Sequence, residues 1–282
     1  MGYKKLSNEQ ELQLVNEYKQ GTSVNSLMQK YGFKTKKSII DKVKKHFPDQ
    51  YQEIIKEAQK NRKPYYYKLE KISCEFDAYF LGLMLTDGYV TSSRNQIGID
   101  LADEDCISFL SKSIGKNYKK YSPNISIYNG QIINSQKDRY RLILDDKELV
   151  SNLQRFGVVP KKSKILKGPQ LFKEEEKFIP YIIRGIIDGD GTVCPTSYGG
   201  PQFRIITASY DFALWLKDVL ENKMYMIDIN IHKKRELYEL GSADSTNILK
   251  LISLSYNKPF GMARKYDEIR KTFRDYNGDF LK

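Results

Sequence analysis

The chain has 282 residues, room for two or three domains with real cores, and a net charge of +12 from 47 Lys and Arg against 35 Asp and Glu. That balance points to a polyanionic partner rather than a membrane: no apolar run approaches the ~18 residues of a span, and Met1-Gly-Tyr-Lys-Lys does not read as a signal peptide. Three separated cysteines (Cys74, Cys106, Cys194) fit a reducing compartment, and only two histidines, His46 and His232, argue against zinc or histidine-based chemistry.

Residues 1 to 46 read as a small helical module. Ser7 caps a first helix from Asn8 to about Lys19, with Leu12, Leu14, Val15 and Tyr18 at helical spacing, and Ser23 caps a second from Val24 to Tyr31. Gly32 makes a turn, and a third helix runs from Lys36 to Lys45 with Ile39, Ile40 and Val43 inward. The pattern resembles a resolvase-type helix-turn-helix, whose last helix enters the major groove. On that reading Lys34, Lys36, Lys37 and Ser38 start the recognition helix; the plainer alternative is a bundle with a solvated basic face. Residues 47 to 73 read as a basic linker with a polar helical piece to Gln59, whose tyrosines (Tyr65, Tyr66, Tyr67) either lie along nucleic acid or pack on the next domain.

From residue 74 the chain repeats itself. Phe80-Leu-Gly-Leu-Met-Leu-Thr-Asp-Gly88 and Ile183-Arg-Gly-Ile-Ile-Asp-Gly-Asp-Gly191 share one pattern, and each closes an apolar run without strand alternation, so each predicts a helix buried in a core or interface. Gly82 and Gly185 cost about 1 kcal/mol apiece in mid-helix, which close approach of a second helix backbone would offset. Asp87 and Asp190 fall at the helix ends, with Gly88 and Gly191 as stops. A carboxylate there faces the negative end of the helix dipole, and its recurrence implies a compensating cation. Paired side by side, the two carboxylates would suit hard divalent cations that serve phosphodiester hydrolysis. One Asp-Gly alone would be an ordinary helix stop.

After the first motif, Tyr89 to Thr91 and Gln96 to Ala102 predict a hairpin, Asp103 caps a helix to Ile114, and Ile125 to Tyr128 pairs with Tyr140 to Leu144; Lys147 to Phe156 closes the half. The second half repeats this: a hairpin of Thr192-Val193 with Gln202 to Ala208, a helix from Tyr210 to about Asn222, a hairpin of Ile227 to Lys233 with Glu236 to Leu240, and a helix from Ser245 to Ser255. Ile227, Ile229 and Ile231 alternate with polar residues, so each sheet has a core face and a wet face. A final helix begins at Asp267.

Both motifs resemble the LAGLIDADG motif of homing endonucleases, in the single-chain form with two motifs. The resemblance covers about residues 74 to 275 and implies an α+β fold: two pseudo-symmetric αββαββα repeats forming a DNA-binding saddle, here with a small all-α helix-turn-helix domain in front. It gives domains at 1–46, 47–73, 74–160 and 161–282. It implies a metal-dependent double-strand break at a long asymmetric DNA site, made by a monomer of a mobile genetic element. Asp87 and Asp190 would bind two or three Mg²⁺ ions, with Mn²⁺ or Ca²⁺ substituting in binding, and the carbonyls of Thr86 and Gly189 as co-ligands. In the family a basic residue near each metal-binding Asp helps the transition state or positions water; the candidates here are Lys137 or Arg139, and Lys234 or Arg235. Gln96, Arg139, Arg141, Gln202, Arg204, Lys233 and Arg235 are candidates for DNA contact on the wet sheet faces. Clusters at Pro160–Lys164 and Ala263–Tyr266 either touch phosphates or solubilise loops. Leu85 and Arg184 depart from the family pattern. The competing reading is a non-cleaving binder on the same scaffold, an intron RNA maturase or a transcriptional regulator. The expected setting is the cytoplasm or nucleoid of a bacterial or phage-infected cell, or an organelle.

Overall fold

The first helices form as their caps dictate. In α1 (Asn8–Lys19) the Gln10 N–H donates to Ser7 Oγ at 3.2 Å and the Ser7 N–H to Gln10 Oε1 at 3.0 Å, a reciprocal cap. α2 (Val24–Tyr31) is capped by Ser23 and stopped by Gly32 at φ 74°, and α3 (Lys36–His46) follows the turn. Leu14, Val15, Tyr18, Leu27, Ile39 and Val43 share one core with Ile54 and Ala58 of α4 (Tyr51–Asn61). The sequence reading put α4 in a linker; its apolar stripe is short and sits among Gln, Glu and Lys, but it completes the bundle. Buried Glu11 binds α3 to α1 through Lys42, Lys45 (2.7 Å) and His46 (2.8 Å). Burial pushes its carboxyl up, but these three hydrogen bonds outweigh burial and lower it to about 2.

This computed structural model describes residues 6–61, 67–121, 126–128, 131–133 and 138–277. It divides into two units, Met1–Tyr66 and Tyr67–Lys282. The second unit begins with α5 (Glu75–Leu85), β1 (Gly88–Val90), β2 (Gln96–Leu101), α6 (Glu104–Ile114), β3 (Lys119–Tyr121), β4 (Ser126–Tyr128), β5 (Gln131–Ile133), β6 (Arg139–Asp145) and α7 (Lys147–Arg155). It continues with α8 (Ile179–Asp190), β7 (Gly191–Pro195), β8 (Pro201–Thr207), α9 (Tyr210–Asp218) running into a π-helical turn (Val219–Lys223), β9 (Asn230–Lys234), β10 (Leu237–Ser242), α10 (Ser245–Ser255) and α11 (Ala263–Asn277). Setting aside the β4–β5 hairpin, the order αββαββα occurs twice. The two antiparallel sheets also repeat, as β1-β2-β6-β3 and β7-β8-β10-β9. This is the expected pseudo-symmetric α+β fold.

Three local expectations change. β6 pairs with β3 and β2, not with the 125–128 segment, which instead pairs with β5 as a separate ribbon; β3, Lys-Lys-Tyr, carries no apolar alternation by which to recognise it. Asp103 makes no side-chain cap to α6, because its carboxylate accepts from Arg264 at 2.9 Å. Ile229 is buried but Ile227 is 53% exposed; both precede β9, so strand alternation does not govern them.

The halves join where α5 crosses α8. A Cβ at Gly82 would lie 2.3 Å from the Ile182 carbonyl oxygen and 2.8 Å from Gly185 Cα, and one at Gly185 would lie 2.3 Å from the Tyr79 oxygen. Backbone touches backbone there, which is what the mid-helix glycines required. Gly82→Val is expected to cost about 3 kcal/mol or more through overpacking, seen as a fall in thermal midpoint. Gly199→Ala, at φ +84° in open space, should cost only about 1 kcal/mol of backbone strain. Equal losses in the two variants would contradict the helix contact.

Candidate active site

Because α5 and α8 pack in register, both acids arrive at the same end of the pair. Asp87 follows the cap residue Thr86 and leads into β1; Asp190 is the last residue of α8 and leads into β7. Neither following glycine is the left-handed stop the sequence suggested: Gly191 has φ −87° and ψ 160°. They are glycine because helix turns directly into strand. A Cβ at Gly88 would lie 2.5 Å from Met84 Cα, and one at Gly191 2.6 Å from Ile187 Cα. The two turns also touch each other, since a Cβ on Gly189 would lie 2.0 Å from Thr86 Oγ1 and 3.0 Å from Asp87 Oδ2.

The carboxylates resist ionisation. Burial first, and then the charge of Asp190, push Asp87 up to about 6, against Lys265, Lys162 and Arg139, which pull it down. Burial likewise raises Asp190, with Lys162 and Lys265 opposing.

Those two lysines, which the sequence shows only as members of basic clusters, lie beside both acids. Lys162 follows Lys161, which takes φ 59°, and donates to the carbonyls of Thr86 (2.9 Å) and Gly88 (2.6 Å). Lys265, in the first turn of α11, donates to those of Ile187 (2.6 Å), Asp188 (2.8 Å) and Gly191 (2.7 Å). Each is 6% exposed, and burial lowers the proton affinity of both ammoniums. Each is placed over the carbonyl end of its motif helix, where a cation is favoured. The signal was present in the repeat: each lysine lies 74 positions after the glycine of its own motif.

The remaining candidates scatter. Arg139, on β6, is exposed and its charge reaches Asp87. Arg141 is held by Asp100 through two bonds (2.6 and 2.7 Å) and stacks on Tyr121, while Gln96 donates to Asp145 at 2.6 Å. On the second sheet Gln202 donates to the Pro195 carbonyl, Arg204 lies 3.9 Å from Glu239, and Lys234 donates to the same Glu239 at 2.6 Å. Lys233 pairs in register with Tyr238, which puts it on the face opposite Arg204; Arg235 occupies the β9–β10 turn at φ 56°. Lys137 lies outside the described residues. A cavity of about 250 Å³ beside Asp190 is lined by Lys162, Ser163, Thr207, Ile206 and Leu237. In the first unit Lys34, Lys36 and Lys37 are exposed and Ser38 half-buried, with Ser38 Oγ 3.0 Å from Thr35 Oγ1. Among the described residues no three His, Cys, Asp or Glu side chains converge on a common point, and no helix is long and apolar enough to cross a membrane.

No family model matches the chain, and no curated protein is similar to it in sequence. Among solved structures the chain is similar to full-length DUF199/WhiA from Thermatoga maritima (15% identity, TM-score 0.45), covering 76% of this chain and 66% of that one, so it spans just under two thirds of that protein. It is also similar to the LAGLIDADG meganuclease I-AabMI bound to uncleaved DNA (13%, TM-score 0.44, covering 69% and 89%) and to the I-LtrWI LAGLIDADG homing endonuclease bound to target DNA (11%, TM-score 0.42, covering 71% and 89%). Identities this low leave the activity to this chain's own residues.

The raised Asp87 has a consequence for stability. The folded chain holds that proton more tightly than the unfolded chain does, so stability falls as pH rises from the unfolded value near 4 through about 6, and stays reduced above. Asp87→Asn removes the charge, so without added metal the variant should melt above wild type at pH 8, with the gain shrinking to nothing by pH 4. Melting curves at pH 4, 6 and 8 check this; a gain that grows toward acid would contradict the assignment.

Proposed function

We propose that the chain is a metal-dependent DNA endonuclease that cuts both strands of a long, asymmetric site, one strand at each motif. The observation that carries this reading is the meeting of two carboxylates, half-buried Asp87 and more exposed Asp190, at adjoining helix ends, each backed by a buried lysine. The donors are hard oxygens, and two carboxylates suffice for Mg²⁺, which keeps several waters and takes further oxygens from substrate phosphate. When bound, such an ion supplies polarisation of the attacking water and stabilisation of the departing oxygen. Asp87 and Asp190 would hold it, and their reluctance to ionise makes cation binding and proton loss one linked event. Lys162 and Lys265 fix the two turns that carry the acids and offset the negative helix ends, leaving the carboxylates free to face phosphate. Arg139, whose charge reaches Asp87, would assist there.

The two sheets would lie against the duplex, with the polar faces of β2, β6, β8 and β10 toward base edges. In the first unit α3 would enter a groove, its exposed lysines supplying phosphate contacts. A second reading, a regulator that binds without cutting, is favoured by two contacts: the carbonyls expected to bind metal accept from lysines instead, that of Thr86 from Lys162 (2.9 Å) and that of Gly189 from Lys265 (3.5 Å).

The two readings part in a single experiment. Genomic DNA of host and phage is incubated with wild type and Asp190→Asn, with Mg²⁺ or EDTA, and broken ends are mapped. Recurrent breaks that need Mg²⁺ and become single-strand nicks in the variant support the nuclease. Tight, salt-sensitive binding without recurrent breaks supports the regulator. A companion measurement needs no target: millimolar Mg²⁺ should raise the melting temperature of wild type at pH 8 and leave that of Asp87→Asn nearly unmoved.

The role of the first unit is separable. Removing residues 1 to 66 should weaken DNA binding and flatten its dependence on salt by the number of phosphates given up, while the cut position stays where it was. A displaced cut would mean that this unit sets the register.

A further inference from the structure

Asp188 is an acid of the second motif that the proposed chemistry leaves unused, and Leu85 stands in its register in the first. It is 1% exposed. Its carboxylate accepts from Tyr79 Oη (2.8 Å), Tyr256 Oη (2.7 Å) and the Met262 N–H (3.2 Å). Tyr79 Oη accepts from the same N–H at 3.1 Å, and Gly261, at φ 72°, lies so close over that ring that a Cβ would be 2.4 Å from the hydroxyl.

One turn earlier on α8, the fully buried Arg184 donates to the carbonyls of Ser255 (3.2 Å), Lys258 (2.9 Å) and Phe260. Its guanidinium lies 4.7 Å from the Tyr256 ring and 5.2 Å from that of Phe260. In the first motif Leu81 holds this register. A buried guanidinium and a buried carboxylate, one turn apart on one face, therefore hold one segment from both of its ends. That segment, residues 255 to 262, is what α11 grows from, and the first turn of α11 carries Lys265. The first half holds the same point: Asp105 accepts from the Ala263 N–H at 2.7 Å and Asp103 from Arg264 at 2.9 Å.

We propose that Asp188 and Arg184 are positioning residues that act through residues 255 to 262 to place Lys265, and hence the second of the two centres. The first centre, with leucines in both registers, places Lys162 without such a grip. The importance given to Lys265 rests on the endonuclease reading; the grip itself does not. Removing a buried carboxylate that satisfies three donors leaves Tyr256 Oη without its acceptor, and leaves Tyr79 Oη and the Met262 N–H only each other and Cys106 Sγ, so its loss loosens the segment from α8.

The test compares the two lysines within one molecule. Full-length wild type, Asp188→Leu and the milder Tyr256→Phe, which keeps the ring and removes one hydroxyl, are treated briefly with an amine-acetylating reagent, and each lysine is followed by peptide mass spectrometry. Lys265 should label about ten-fold faster in either variant, the population change that loss of a buried hydrogen bond produces, with Lys162 unchanged. No change at Lys265 in Tyr256→Phe, or equal increases at both lysines, would overturn the grip, because a merely structural loss exposes both. On a cleavable target the same variants should slow the strand cut at Asp190 and spare the other, at unchanged affinity. A wild type that cuts nothing would count against the nuclease, while the labelling ratio still decides the grip.

Discussion

The second unit depends on one contact, the crossing of two helix backbones at Gly82 and Gly185. Two mid-helix glycines give up about 2 kcal/mol of helix propensity. Fully burying side chains such as Leu81, Leu83, Ile182 and Ile186 returns about 1.5–3 kcal/mol each, so the crossing wins easily, but only at a spacing that a Cβ would forbid. That spacing fixes the axial register of α5 against α8. Register in turn decides that Thr86 and Asp87 face Gly189 and Asp190, rather than lying a helical turn away.

Bringing the two ends together concentrates negative potential. Two helix C-termini contribute roughly half an elementary charge each, and two carboxylates are added where burial already penalises charge. Lys162 and Lys265 answer the helix ends, not the carboxylates: their hydrogen bonds go to carbonyl oxygens, and their charges reach the acids only through space. The net effect leaves Asp87 raised. The chain thus neutralises what its backbone creates and leaves the side-chain charge for something else, which is the physical basis for expecting a bound cation. The arrangement also lowers stability at neutral pH, a cost that a purely structural helix end would have no reason to bear.

Much of this was legible in sequence, because the features concerned are local and repeated. The caps at Ser7 and Ser23, the helix Ser245–Ser255 and the motif glycines each announce themselves by residue type and spacing, and the second copy of the motif confirms the first. What could not be read depends on partners distant in the chain. β3 has no alternation, so its pairing with β6 is set by the sheet and not by its own residues. α4 has too narrow an apolar stripe to stand out from a linker, and its burial comes from the three helices it joins. Lys162 and Lys265 looked like two more basic clusters, since nothing in Lys-Lys-Ser-Lys or Arg-Lys-Tyr says that one ammonium is buried. Only their equal distance from the two motifs carries that information, and it becomes a signal once the repeat is taken as a fold and not just as a motif. Arg184, a departure from the motif pattern when read alone, is explained only by the carbonyls of a loop some seventy residues on.

The wet sheet faces qualify what the net charge of +12 means. Arg141 is matched by Asp100, Gln96 by Asp145, and Lys234 with Arg204 by Glu239. These faces are mosaics of donors and acceptors held in fixed geometry, and not uniformly positive surfaces. A phosphate approaching Arg141 must displace a two-point carboxylate bond, so such a face binds a phosphate backbone poorly. Base edges are different, since they present donors and acceptors side by side, and a fixed carboxylate can accept from a cytosine amino group as an arginine donates to guanine. Among the described residues the unmatched charge sits off these paired positions, at Lys34, Lys36 and Lys37 of the first unit and at Lys161, Lys164 and Lys167 of the second. On the proposed reading, the unmatched lysines would supply attraction to the phosphate backbone, and the paired polar faces of the second unit would discriminate between bases.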